Sequence, residues 1–211
     1  MKLFFHYCSY GFSNCYILGG SRTDQGDEAA RSADAVIVDP GGMNESILKT
    51  IENNGFNLRA VLITHDHIRH VRGLQTLNRI YNAEIFAINH IVQENKTTMV
   101  KDGDKINIAG FDVEVISIPG HSADSVVYKM GAMLFTGDVL TAGLVGSTSS
   151  NFGAATQMSK LHARLLSLPG DYIVLPGHGP PSTLEAERRF NTDIINYDLN
   201  KNKKPAFKVG Y

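Results

Sequence analysis

Three histidines, His65, His67 and His70, fall within six residues, directly after the apolar run Val61-Leu62-Ile63-Thr64. Two histidines two residues apart on a turn after a buried strand can aim both imidazoles at one ion. A third, three residues on, reaches a neighbouring position as a helix begins. One such histidine would read as a helix cap, but three in so short a stretch point to a metal. Other ligand types recur in a related setting, an apolar run, then glycine, then a donor: Pro119-Gly120-His121, Gly137-Asp138 and Pro176-Gly177-His178-Gly179. Strand-end residues from distant parts of a sheet protein converge on one rim. His65, His67, His70, His121, Asp138 and His178 therefore form one candidate cluster, whereas His6, His90 and His162 lack this context. Asp39, at the tip of a strand stopped by Pro40-Gly41-Gly42, either fixes a ligand imidazole by accepting its N–H or simply ends the strand. Asp66, between two ligand histidines, is expected to point away from them, capping a helix or supporting the site.

The elements that must carry these residues can be read from hydrophobic period. Lys2 to His6 and Asn14 to Leu18 read as an antiparallel pair joined by Ser9-Tyr10-Gly11. Gly19 to Ala33 reads as a polar loop, and Ala35 to Val38 as the next strand. Asn44 is a helix N-cap, with Ile47, Leu48 and Ile51 on the apolar side before Gly55. Val71, Leu74, Leu77 and Tyr81 have the spacing of one helix with a buried face, and Glu84 to Ile88 reads as a short strand. Lys101 to Asp104 is a turn, and Phe111 to Val115 alternates apolar and acidic residues as a strand with one wet face does. Strands at Ala132 to Thr136 and Tyr172 to Leu175 flank a glycine- and serine-rich loop, Gly143 to Gly153, and a helix carrying Met158, Leu161, Leu165 and Leu168. Ser182 or Thr183 caps a last helix through Glu185, Arg188 and Phe190.

The chain has 211 residues and 43% hydrophobic content, enough for a core, and is expected to be a single domain, 1–211, with a basic tail over about 200–211. A formal charge of −1 gives no electrostatic reason to expect nucleic acid or an anionic membrane as partner. The N-terminal apolar run is too short for a signal peptide, and no later run reaches the ~18 apolar residues of a membrane span. A cytoplasmic protein with a small-molecule substrate is expected; the oligomeric state is left open. Cys8 and Cys15 have no C-x-x-C spacing and read as small buried side chains.

With these residues in order, the chain resembles the metallo-β-lactamase superfamily, and within it the short glyoxalase II-like hydrolases. The resemblance runs through Asn14-Cys15-Tyr16-Ile17-Leu18, Asp39-Pro40-Gly41, His65-Asp66-His67-Ile68-Arg69-His70, Pro119-Gly120-His121-Ser122, Phe135-Thr136-Gly137-Asp138 and Pro176-Gly177-His178-Gly179-Pro180. It implies an α/β fold, an αββα sandwich of two mixed β-sheets flanked by helices. It also implies one metal on His65, His67 and His121 and a second on His70 and His178, with Asp138 between them. Zinc is the expected ion, with iron, manganese or nickel as alternatives. The implied reaction is attack of a metal-bound hydroxide on a thioester carbonyl, or on a related ester or lactone, with no covalent enzyme intermediate.

The sequence departs from this pattern at one point. The family reads H-x-H-x-D-H, and Arg69 stands where the aspartate is expected. A unit charge ~4 Å from a divalent ion at an effective dielectric of ~20 costs about 8 kcal/mol, and a residual ~2 kcal/mol weakens binding about thirtyfold. One firmly held ion is therefore expected, with the second position weak or empty. Arg69 either stands in for that ion, pairing with Asp138 or anchoring an anionic substrate group, or points to solvent and leaves His70, Asp138 and His178 to hold a second ion. The other readings of the chain are a metal-binding homologue without turnover and a mononuclear iron persulfide-type oxygenase.

Overall fold

The structure is a computed structural model that describes residues 1–20 and 33–202. β1 (Lys2–Cys8), β2 (Ser13–Gly19) and β3 (Ala33–Val38) lead to helix α1 (Glu45–Asn53), β4 (Phe56–Leu62), the short helices α2 (Ile68–Val71) and α3 (Leu74–Tyr81), and β5 (Glu84–Ala87). The two-residue strands β6 (Ile91–Val92), β7 (Asn95–Lys96) and β8 (Thr98–Met99) precede β9 (Lys105–Ile108), β10 (Phe111–Ser117), β11 (Val126–Met130) and β12 (Met133–Gly137). The hairpin β13 (Leu140–Thr141) and β14 (Leu144–Val145) is followed by α4 (Asn151–Lys160), which runs into a π-helical segment, Leu161–Leu166. β15 (Ile173–Pro176), β16 (Ser182–Thr183), α5 (Leu184–Phe190) and α6 (Thr192–Asn202) complete the described chain.

The N-terminal half builds one six-stranded sheet in the order β1-β2-β3-β4-β5-β8, and the C-terminal half another, β16-β15-β12-β11-β10-β9. Both are mixed, with β3, β4 and β5 parallel, β12 parallel to β15, and β1, β2 and β11 antiparallel to their neighbours. β2 shows why the sheets lie face to face, since all seven of its residues are buried. Side chains alternate across a strand, so such a strand needs cover on both faces. Tyr16 and Leu18 join Val36, Val38 and Leu62 against Val115, Tyr128 and Phe135 of the other sheet. Cys15 and Ile17 face the opposite way and pack with Ile47, Ile51, Leu74 and Leu77 of α1 and α3. On the far face of the second sheet, Val127, Leu134 and Val174 meet Met158, Leu161, Leu165, Leu184 and Ile194. The result is the expected αββα sandwich.

Four details differ from the sequence reading. The helix expected to run through Val71, Leu74, Leu77 and Tyr81 is two helices, because the Gly73 N–H leaves the helical ladder and donates to Pro40 O at 2.8 Å. The loop expected over Gly143 to Gly153 contains β14 and the first turn of α4, whose N-cap Ser150 accepts from the Gly153 N–H. Thr183 caps α5 as expected, but α5 is not the last helix. Asn191 ends it and starts α6, its side-chain oxygen accepting from the N–H groups of Asp193 and Ile194. Of the polar loop expected over Gly19 to Ala33, Gly19 ends β2 and Ala33 opens β3, while residues 21–32 lie outside the described residues, as does most of the basic tail; residues 200–202 continue α6. Among the described residues no helix is long and apolar enough to cross a membrane.

Candidate metal centre

Five strand ends meet at one rim of the sandwich. Asp39 follows β3, His65 follows β4, His121 follows β10, Asp138 follows β12 and His178 follows β15. β2 enters from the same rim and fastens the sheets together there. The Asn14 N–H donates to Gly177 O at 2.7 Å, its side-chain amide donates to Pro176 O and Gly179 O, and the Tyr16 hydroxyl donates to Pro176 O. From the other sheet, the Val126 N–H donates to Thr64 O at 2.9 Å and the buried Tyr128 hydroxyl to Ile63 O at 3.0 Å. Gly177 is required where it stands, because a Cβ there would overlap His70 Cε1 and the Asp138 carboxylate.

The rim gathers the predicted ligands into two sets sharing Asp138: His65, His67, His121 and Asp138, and His70, Asp138 and His178, each within 4.8 Å. His67 Nδ1 lies 3.1 Å from His65 Nε2 and 3.1 Å from His121 Nε2. Nitrogens around a tetrahedral zinc at 2.0–2.1 Å stand about 3.3–3.4 Å apart, so this spacing suits a shared ion.

Hydrogen bonds on the far side of each ring assign the tautomers. Thr64 Oγ1 donates to Asp39 Oδ2 at 2.6 Å, so at 3.1 Å it must accept from His65 Nδ1. His70 Nδ1 donates to Asp39 Oδ2 at 3.0 Å, His121 Nδ1 to Ser147 O at 2.7 Å, and His178 Nδ1 to Phe12 O at 2.7 Å. In their neutral forms four imidazoles therefore turn a bare Nε2 lone pair inward. They face Asp138, whose oxygens lie 3.8 Å from His65, 3.3 Å from His70, 3.5 Å from His121 and 3.6 Å from His178. Lone pairs converging on a carboxylate repel one another unless a cation lies among them. His70 Nε2 and Asp138 Oδ1, both buried and 3.3 Å apart, have no hydrogen-bond partner beyond each other, as donors aimed at one ion are. The residues present fit a metal.

The charge states divide the two sets. Burial, reinforced by nearby His70, pushes His65 down to about 3, leaving it neutral and able to bind an ion. Burial also disfavours charge on His70, yet Asp138 and Asp39 on either side outweigh it and raise the group to about 10. Burial works to raise Asp138, but His70 and the surrounding imidazoles hold it below the usual carboxylate range.

The cluster forms the floor of an open cavity of about 590 Å³, walled by Ile68, Arg69, Thr141, Leu144, Val145 and Ser147. Arg69 is exposed and, among the described residues, has no ion-pair partner, so of the alternatives offered for it the pairing with Asp138 is not formed. Asp66 does not cap α2: His67 holds the N-cap position, with no side-chain cap bond. Instead the Asp66 N–H donates to Asp124 Oδ2 at 2.8 Å, and burial with that neighbouring carboxylate raises the Asp66 carboxyl. Asp39 does what the metal reading required of it, binding His70 while receiving the Thr64 N–H at 2.8 Å. Sequence reasoning missed Thr64 as the link between Asp39 and His65, Ser13, whose Oγ donates to Arg69 O at 2.6 Å, and the Leu144–Val145 wall. A hydroxyl residue directly before the first histidine was the available signal for Thr64. Two of the four imidazole acceptors are backbone carbonyls, which leave no trace in residue type.

Comparison with known proteins agrees with this geometry. A hydroxyacylglutathione hydrolase of Xanthomonas campestris pv. campestris is 34% identical over 178 residues, 84% of this chain and 68% of that protein. An uncharacterized protein of Mycobacterium tuberculosis is 30% identical over 212 residues, 84% of this chain and 91% of that one. The crystal structure of TTHA1623 in a di-iron-bound form superposes with a TM-score of 0.73 at 27% identity, covering 90% of this chain and 99% of that one. The family model for the metallo-beta-lactamase superfamily matches residues 11–178, a span that takes in every ligand assigned above. The chain belongs to the metallo-beta-lactamase superfamily.

Proposed function

We propose that the chain is a metal-dependent hydrolase of small-molecule thioesters, of the kind named for its hydroxyacylglutathione hydrolase relatives. The observation that carries this reading is the convergence of four imidazole Nε2 atoms on one ionised carboxylate at the floor of an open pocket. A divalent ion held there supplies Lewis acidity toward a carbonyl oxygen and lowers the pKa of water toward neutrality. His65, His67 and His121 would hold the firmly bound ion, and His70, Asp138 and His178 a weaker second one. The second seat has three donors, one of them shared, and its neighbour Arg69 adds a positive charge instead of a further oxygen. Zinc suits this imidazole-rich set, and iron, manganese or nickel could use the same donors.

The chain's own groups do the remaining work. Asp138, ionised and accepting only, orients a water by accepting its hydrogen bond and aims it at the carbonyl. Ile68, Leu144 and Val145 give the acyl group an apolar wall. Ser122 and Ser125 do not serve as nucleophiles in this scheme, since their hydroxyls bond each other at 2.7 Å. The test is hydrolysis of S-lactoylglutathione by chelated protein and by protein reloaded with zinc, iron or manganese. Turnover only after reloading, abolished by His121→Ala, supports the reading. Reloaded protein that cleaves only a lactone or phosphoester changes the substrate, inertness toward all three favours a ligand-sensing role, and oxygen uptake by the iron form identifies an oxygenase.

A further inference from the structure

We infer that Arg69 is an anion anchor that selects acyl substrates carrying a second, carboxylate group remote from the scissile carbonyl. The inference rests on the hydrolase reading for the word substrate, and on geometry for the anion.

Arg69 lines the same pocket as the metal cluster, one residue before His70. Its backbone is pinned, the carbonyl accepting from Ser13 Oγ at 2.6 Å. Its stem lies along the β1–β2 turn, where a Cβ added to Gly11 would sit 2.8 Å from Arg69 Cγ and 3.0 Å from Arg69 Cβ. Gly11 has φ +78°, so the turn both needs glycine and leaves the arginine stem its place. One turn on, the Arg72 guanidinium stacks 3.5 Å over the Tyr10 ring, placing a second cation on the same exposed side.

An arginine without a carboxylate partner, on the wall of a pocket whose floor would seat a divalent cation, adds like charge to that pocket. Of the two acids lining the pocket, Asp138 is enclosed by four imidazoles and Asp66 lies against Asp124. An incoming oxyanion relieves that repulsion and matches the planar fork with two parallel hydrogen bonds. Leu144 and Val145 give the same pocket apolar lining, so the complementary ligand has a reactive carbonyl over the histidines, a short apolar chain and a terminal carboxylate.

The test compares the glutaryl thioester of N-acetylcysteamine with its terminal methyl ester, using the metal-loaded full chain. The wild type should prefer the free acid by at least tenfold in kcat/KM, the preference residing in KM. Arg69→Gln should remove most of that preference and Arg69→Lys should restore part of it. Calorimetric titration with glutarate and with monomethyl glutarate gives a readout independent of turnover, and the wild type should bind the diacid at least tenfold more tightly, with the advantage lost in Arg69→Gln. Equal binding of the two acids by the wild type, or a preference unchanged by Arg69→Gln, overturns the proposal. If no thioester is cleaved, the hydrolase reading fails while the two titrations still decide the role of Arg69.

Discussion

Asp39 Oδ2 lies 3.0 Å from His70 Nδ1 and 2.6 Å from Thr64 Oγ1, which in turn accepts from His65 Nδ1, so one buried carboxylate orients an imidazole of each ligand set. Asp39→Asn should lower zinc affinity about 10–100-fold, the range for loss of a partner behind a ligand. Thr64→Val should lower it less, and the double variant by less than the product of the two, because both act through one oxygen. Competition titration with a chromogenic chelator measures all three, and strictly multiplicative losses would break the relay.

Asn14 makes a second prediction, about the coupling of fold and site. Its amide donates to Pro176 O at 2.9 Å and Gly179 O at 2.7 Å, on both sides of His178. Asn14→Ala removes both bonds, and although Pro176 O keeps the Tyr16 hydroxyl, Gly179 O loses its Asn14 donor, at a cost of about 1–3 kcal/mol. Urea unfolding should show that loss of stability together with weaker binding of a second ion; stability lost with unaltered metal binding would uncouple Asn14 from the site.

The pocket wall is held from behind. Buried Glu187 receives the Gly143 N–H at 3.2 Å, the Ser182 hydroxyl at 2.5 Å and the Asn191 amide at 2.7 Å, and Asp193 receives the Val145 N–H at 2.8 Å. α5 and α6 thereby brace the β13–β14 hairpin that presents Leu144 and Val145 to the cavity. Glu187→Ala should raise KM several-fold with little change in kcat, since the wall positions substrate without touching the ligands. A fall confined to kcat would contradict this.

The two metal seats should differ in proton release. With His65 held near 3 and His70 raised to about 10, filling the first seat at pH 8 displaces no proton from His65, whereas filling the second displaces one from His70. The folded-state pKa of His70 is raised, so its contribution to metal-free stability is fully present below about 6.5, its unfolded value, and is lost as pH rises through about 10. Zinc calorimetry in two buffers of different ionisation enthalpy should show about one more proton released for the second ion than for the first, beyond any proton lost by metal-bound water. The reverse order would invert the assignment of the seats.

Much of this was legible in the sequence because the signals were carried by side chains. Alternating apolar residues placed the strands, and histidines behind apolar runs marked the rim where strands end. What stayed hidden depends on backbone contacts made at a distance. The break between α2 and α3 follows from Gly73 reaching Pro40, and the partners of His121 and His178 are the carbonyls of Ser147 and Phe12. Asn191 disguised α6, since the residue that closes one helix also opens the next. Arg69 was visible as a departure, but its lack of an acidic partner emerged only from the fold.

The central claim, that this rim exists to hold a cation, is tested most directly by anomalous diffraction at the zinc edge from crystals grown with saturating zinc. The account predicts a strong peak about 2.0–2.1 Å from His65 Nε2, His67 Nδ1 and His121 Nε2, with a weaker peak or none among His70, Asp138 and His178. No anomalous density among the first three nitrogens, with their rings turned away from one another, would contradict it.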